Sequence, residues 1–311
     1  MIVSVFGGTG FIGRNLIPKL VKLGFLVKVA SRNPQRAHYL KVSGNIGQIE
    51  IIKVNVSQEE SVREFIKGSD IVINLIGILN ETRKQKFNFI HSALPSLIAQ
   101  LTFEQGIKRF IHLSALGSDV NSESRYSASK ANGEVSILNY NSQSTIIKPS
   151  LVYGPDDNFF NQFASILSII PIFPLIGYGK TKFQPIYVGD LVELIIGIIE
   201  DVNPKQIYEA GGDEVYSLKE IIELILGIMN RKRLLIPVPF NLSKGFAIVS
   251  QFMPKPLITF DQLKQLQQDN IISYDDKNLV GLISDFGITP KSVKNIVPLY
   301  LKRFSKSPKP E

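Results

Sequence analysis

An α/β fold on a doubly wound parallel sheet, with a smaller and mostly helical C-terminal lobe, is predicted by three features of this sequence. Residues 2–6 form a short β-prone run that breaks into a glycine turn. Strand and helix patterns then alternate through the first half, and the second half changes to apolar stretches punctuated by proline. A length of 311 residues suits one α/β core with an appendage rather than two large independent domains.

The first strand is Ile2-Val3-Ser4-Val5-Phe6. It runs into Gly7-Gly8-Thr9-Gly10-Phe11-Ile12-Gly13, and a helix follows with Ile12, Leu16, Leu20 and Leu23 at helical spacing. A strand, a Gly-x-x-Gly-x-x-Gly turn and a helix in that order describe a dinucleotide site, where an exposed helix N-terminus receives a pyrophosphate. Glycine serves there because positive φ and close approach to a phosphate both disfavour a Cβ. The candidate contacts are Gly7, Thr9, Gly10, Phe11, Ile12, Gly13 and, in the first helical turn, Arg14.

A second strand, residues 26–30, ends at Ser31 and Arg32. An NAD site usually carries an acid here for the ribose 2′-hydroxyl, and that carboxylate would repel a 2′-phosphate. No acid is present. Arg32 offers a fork of donors suited to a phosphate and Arg14 a second charge, so NADP(H) is expected in preference to NAD(H).

Further strands are expected over 49–54, 70–76 and 109–113, with helices over 61–67 and 94–105 between them. Such alternation specifies parallel strands with right-handed crossovers, the Rossmann arrangement, whose ligand lies at the carboxyl ends of the strands. Asn55, Val56, Asn74, Gly77 and Ser114 fall at or near those ends. Beyond them, Tyr126 and Lys130 stand four residues apart on a predicted helix and share a face. An ammonium there can favour a phenolate and grip a ribose, so Tyr126 is the candidate proton donor or acceptor.

Composition removes several chemistries. There is no cysteine, so no disulfide, thiolate metal site or cysteine nucleophile, and the three histidines are scattered, which leaves no expected metal centre. His38, His91 and His112 read as ordinary surface or core residues. A net charge of +8 favours phosphate-bearing cofactors or anionic lipid surfaces, whereas the basic residues are too dispersed for a nucleic-acid partner. The N-terminus enters a strand without a secretory pattern, so the chain is expected to stay where it is made. Residues 158–179 carry no charge over nearly a bilayer span, yet Asn161, Gln162, Pro171 and Pro174 make them read as buried core with a proline-bent loop.

The glycine turn, Asn74-Leu75-Ile76-Gly77, Ser114, Tyr126 with Lys130, and residues 148–155 together resemble the extended and atypical branches of the short-chain dehydrogenase/reductase superfamily. The resemblance implies catalytic roles for Tyr126, Lys130 and Ser114. It also marks a departure: active members carry two successive hydroxyls after the fifth strand, and here the pair is Ser114-Ala115. The hydroxyl that polarises substrate is thereby missing, and turnover is left open. Residues 184–190, an apolar helix over 191–199 and a strand over 206–210 resemble the segment that returns to the sheet. The dinucleotide domain is therefore expected over 1–150 with 184–212, and the lobe over 151–183 and 213–311.

In the lobe, Leu242, Phe246, Val249 and Met253 recur at helical spacing, flanked by Lys244 and Lys255, and read either as core or as a lipid or partner surface. Residues 256–263, 268–271, 287–290 and 296–300, with 110–114, 124–126, 158–164 and 177–190, resemble the NAD(P)H-binding accessory subunits of respiratory complex I and their bacterial relatives. That likeness implies other complex I subunits as partners, a nucleotide held without established turnover, and peripheral contact with membrane lipid. The location implied is the cytoplasmic face of the inner membrane in a bacterium, or the matrix side of the inner mitochondrial membrane. The basic, proline-bearing tail over 302–311 is either frayed or a contact with anionic lipid. A free oxidoreductase or epimerase acting on a small carbonyl or sugar nucleotide is the competing function, since fold alone decides neither.

Overall fold

The computed structural model describes residues 1–140, 143–242, 259–273 and 279–305. Phe246, Val249, Met253, Lys244 and Lys255 of the expected apolar stripe, and the last six residues of the tail, lie outside the described residues.

The chain divides into two compact units, Met1–Pro149 with Leu191–Glu209 and Tyr274–Ile288, and Ser150–Asp190 with Ala210–Ser273 and Thr289–Glu311. In the first, chain order is β1 (Ile2–Phe6), α1 (Phe11–Lys22), β2 (Leu26–Ser31), α2 (Pro34–Ala37), β3 (Ile49–Lys53), α3 (Glu59–Ile66) and β4 (Ile71–Asn74). A π-helical turn over Asn88–Ala93 then leads into α4 (Leu94–Glu104), followed by β5 (Arg109–Leu113), α5 (Arg125–Tyr140) and β6 (Thr145–Pro149). Val and Ile dominate the strands because both sheet faces are covered, and Val3, Val5, Val72, Ile73, Ile111 and Ile146 are almost fully buried.

The second unit has a core of helices α6 (Phe159–Ile169), α8 (Leu218–Ile228) and α10 (Val293–Leu301), packed through Phe160, Leu167, Ile221, Ile225, Val297 and Leu301. The residues expected to form buried core with a proline-bent loop are α6 followed by strand β8 (Ile172–Ile176). No helix among the described residues is long and apolar enough to cross a membrane. Three two-stranded ladders complete this unit: β7 (Val152–Tyr153) with β10 (Ile186–Tyr187), β9 (Lys182–Phe183) with β12 (Tyr216–Ser217), and β8 with β13 (Leu234–Val238). A short helix α9 (Phe260–Gln265) follows.

Helix α7 (Val188–Glu200) and strand β11 (Ile207–Ala210) carry the return to the large sheet. The first unit takes the chain up again at Leu191, and β10, just before it, pairs with β7 in the second unit. A third segment adds β14 (Val280–Leu282), which pairs with β11 as the eighth strand. Three residues around Gly281 are too few to show a period in the sequence. The large sheet has the order β14-β11-β6-β5-β4-β1-β2-β3. The described ladders of β1 with β2 and β4, and of β4 with β5, are parallel. The strand order reverses at β1, where β2 lies to one side and β4 to the other, and the crevice beyond their carboxyl ends is where ligands bind in open α/β sheets.

Candidate functional site

The first turn sits at that reversal. Gly7 has φ +76°, and a Cβ on it would stand 2.9 Å from the Leu75 carbonyl carbon beyond β4. Gly13 lets α1 lie against the turn, since its Cβ would come within 2.5 Å of Gly8 Cα and the Gly8 carbonyl oxygen. Gly10 is the N-cap of α1. It offers no side chain to the helix, and the first turn contains no acid, so this helix N-terminus carries no built-in anion. Phe11 and Ile12 are half-buried and Arg14 is exposed. The buried face of α1 is Gly13, Leu16, Ile17, Leu20 and Val21; Leu23, expected with them, follows the last helical residue and is exposed.

At the end of β2, Ser31 is buried and its hydroxyl accepts from Asn33 N–H at 3.2 Å, while Arg32 is exposed. Arg36 on α2 is a second exposed cation near Arg32 in sequence that the pattern had not singled out. Tyr39 donates to the Thr9 carbonyl at 3.4 Å, tying the segment after β2 to the glycine turn. Asn55 lies beyond β3 at the sheet edge, where its side chain accepts from Ser57 N–H at 3.2 Å in a local turn, and Val56 is half-buried beside it.

The other half of the site forms around α5. Gly77 brings the turn after β4 against two groups at once, its Cβ position lying 3.6 Å from Lys130 Nζ and 4.0 Å from His91 Nε2. Lys130 is buried and donates to the Leu113 carbonyl at 3.0 Å. Burial pushes its ammonium down to about 8, against the opposing attraction of Glu134. The Tyr126 ring meets His91 edge-on at 5.2 Å and Phe87 at 5.8 Å.

His91 is fully buried within the π-helical turn, a distortion frequent at functional positions. Ile78 N–H donates to its Nε2 at 3.1 Å, so Nδ1 carries the proton and donates to Ser129 Oγ at 3.0 Å; Ser129 in turn donates to the Tyr126 carbonyl. Burial first and Lys130 second lower this imidazole to about 3 and keep it neutral. His91 is thus a core residue, as one of the two readings of the sequence expected, and its ring nitrogens join the turn after β4 to Ser129 on α5.

Asn74 acts similarly one strand over. Its carbonyl accepts from Ile76 N–H at 3.1 Å, which turns its amide toward His112 Nδ1 at 3.2 Å. His112 is therefore protonated on Nε2, which has no hydrogen-bond partner among the described residues. Burial, Lys130 and His91 hold it well below the usual histidine range.

Ser114, at the end of β5, is buried. Its hydroxyl donates to a Glu134 carboxylate oxygen, whose other oxygen pairs with Lys148 at 3.2 Å. Glu134 lies one helical turn beyond Lys130, so Tyr126, Lys130 and Glu134 share a face of α5. Neither Glu134 nor His91 was singled out in the sequence: the i, i+8 spacing to Tyr126 was a signal for the first, and nothing local marked the second. Among the described residues there is no cluster of metal-ligating side chains.

A model of the NAD dependent epimerase/dehydratase family matches residues 3–211. The mitochondrial NADH dehydrogenase (ubiquinone) 1 alpha subcomplex subunit 9 of Arabidopsis thaliana is 31% identical over 98% of this chain and 78% of its own. The mitochondrial NADH-ubiquinone oxidoreductase 40 kDa subunit of Neurospora crassa is 27% identical over 97% and 79% respectively. Triphenylmethane reductase of Citrobacter sp. superposes with a TM-score of 0.77 over 97% of this chain and 100% of that one, at 16% identity, a likeness of fold alone. The chain belongs to the NAD dependent epimerase/dehydratase family, in the branch that holds the subunit 9 proteins.

Proposed function

We propose that this protein is an NADP(H)-holding accessory subunit of respiratory complex I, structural or assembly-related, with little or no turnover of its own. The observation that carries the reading is the contrast within the site. The parts that would hold a nucleotide are in place: a close-packed glycine turn, an uncapped α1 and a buried Lys130. The part that would polarise a substrate is not: Ala115 has no hydroxyl, and that of Ser114 is committed to Glu134. The likeness to complex I subunits along nearly the whole chain supports other subunits of that complex as its partners and a peripheral place at the membrane.

The α1 N-terminus with Gly10 would take the pyrophosphate, Arg32 the 2′-phosphate and Lys130 the nicotinamide ribose. Bound there, the nucleotide would supply phosphate charge to a helix terminus that lacks any, and a ring able to exchange hydride. Lys130 and His91 would then hold Tyr126 beside the ribose, with no hydroxyl to orient a substrate.

Affinity purification from native membranes, with identification of co-purifying subunits, tests the partner; recovery as a monodisperse species without respiratory subunits would reject it. Calorimetry tests the nucleotide: NADPH should bind more tightly than NADH, and Arg32→Glu should narrow or reverse the preference by about 1.5–3 kcal/mol. Robust NADPH oxidation that disappears in Tyr126→Phe would instead make this an oxidoreductase or epimerase in its own right.

A further inference from the structure

Two stretches of the second unit, 158–189 and 224–260, contain no aspartate or glutamate. The first carries Lys180 and Lys182, and the second five lysines and arginines. They are far apart in sequence, yet the fold joins them, pairing β13 with β8 in parallel register, Leu234 against Ile172 and Ile236 against Pro174. Side chains alternate across a strand, so Leu234 and Ile236 share one face with Ile172. That face is open: Leu234 is 61% exposed, Ile172 49% and Ile236 41%, and Ile169 at the end of α6 is 80% exposed.

Cations are fixed beside it. Arg233 donates to the Leu167 and Ser168 carbonyls at 2.7 and 3.2 Å, and Arg231 to Ser168 at 3.1 Å. Both guanidinium groups are held at the α6 C-terminus, next to Ile169. Lys232 between them is exposed.

We propose that this β8–β13 face is a membrane-docking surface that lays Ile169, Ile172, Leu234 and Ile236 into the interface of a bilayer carrying anionic phospholipid. It deepens the peripheral location proposed above and rests on that reading. Charge complementarity selects the occupant. Aliphatic side chains framed by cations, in segments free of acid, suit a surface that is apolar below and negative above. The face needs no spanning helix to do this.

Sedimentation of the full-length protein with phosphatidylcholine vesicles, with and without phosphatidylglycerol, reads the proposal directly. Binding should be markedly stronger to the anionic vesicles and weaken with salt. Lys232→Glu should lower partitioning about tenfold on anionic vesicles and little on neutral ones. Leu234→Ser with Ile236→Ser should lower it at least about tenfold on both. All these side chains are exposed, so an unchanged melting temperature serves as the folding control. Absent binding, equal binding to both vesicle types, or variants that bind like the parent would overturn the proposal. Variants that leave vesicle binding untouched but shed co-purifying subunits would also overturn it, and make the face a protein contact. A chain that docks on vesicles as expected yet co-purifies with no respiratory subunit would instead reject the complex I reading.

Discussion

Helices α1 and α6 meet the same problem at their N-termini in opposite ways. At α6, Asp157 supplies a carboxylate from within the chain: it accepts from Gly154 N–H and Asn161 N–H, both at 3.2 Å, and from the Tyr300 hydroxyl at 2.6 Å. Burial raises its pKa while these bonds lower it, and the group is enclosed in the core of its unit. At α1 the cap is Gly10, with no side-chain bond and no acid in the first turn. One terminus has its anion built in, and the other has none in its cap or first turn. Strongly perturbed, buried ionisable groups occur in both regions, so perturbation alone does not separate a structural lock from a ligand site. The difference lies in whether the helix terminus has already been satisfied.

The most damaging way to break the contrast is Gly13→Val, which forces side-chain atoms into the Gly8 backbone. It should cost about 4 kcal/mol in urea unfolding and abolish any nucleotide response, because it removes the packing of α1 on the turn rather than a single contact. Tyr300→Phe probes the other terminus. It takes one partner from a buried carboxylate and should cost about 1–3 kcal/mol, while the rise in melting temperature on adding NADPH persists. A Tyr300→Phe variant that lost the nucleotide response would dissolve the distinction.

Acid sharpens it further. His91 titrates near 3 in the folded protein, below its ordinary 6.5, so the unfolded chain binds more protons between those values. The stability this residue contributes is complete above about pH 6.5 and should be lost at about 1.4 kcal/mol per pH unit as pH falls through that window. His91→Gln should flatten the acid limb of the stability profile. Lys130 acts with the same sign on the alkaline side. Its folded value of about 8 lies below 10.5, so stability should rise with pH across that interval. Nucleotide affinity should fall over the same interval if the ammonium holds the ribose, and calorimetry from pH 7 to 10 would show the two curves diverging.

The smallest expected effect is also the most diagnostic. Gly10→Asp supplies α1 with the anion it lacks. Despite a tight 3.1 Å approach of its Cβ to the Gly7 carbonyl oxygen, it should raise the stability of the free protein by a few tenths of a kcal/mol. It should also erase the NADPH-induced shift. A full shift in this variant would mean that the glycine turn is only a turn.

Much of the first unit was legible because its signals are local. The run Ile2–Phe6, the glycines and the start of α1 follow one another directly, and Tyr126 and Lys130 share a face through one helical turn. Strand β5 has the bounds expected of it, whereas β4 spans four residues where seven were expected, because the apolar run continues through Leu75 and Ile76 into the turn that follows the strand. The second unit was less legible, since strands of two residues such as β7 and β12 are too short to carry a period.

What the sequence determined by itself, then, is the order of the elements and the identity of the groups at the strand ends, because helix and strand periodicity act over a few neighbouring residues. What only the tertiary structure decided is which distant groups meet. His91, distant in sequence from Tyr126, lies against its ring and beside Gly77; Glu134 accepts from the Ser114 hydroxyl; and β8 and β13 join two acid-free stretches into one face. Those meetings depend on chain reversals and on packing over long separations, which no local period encodes.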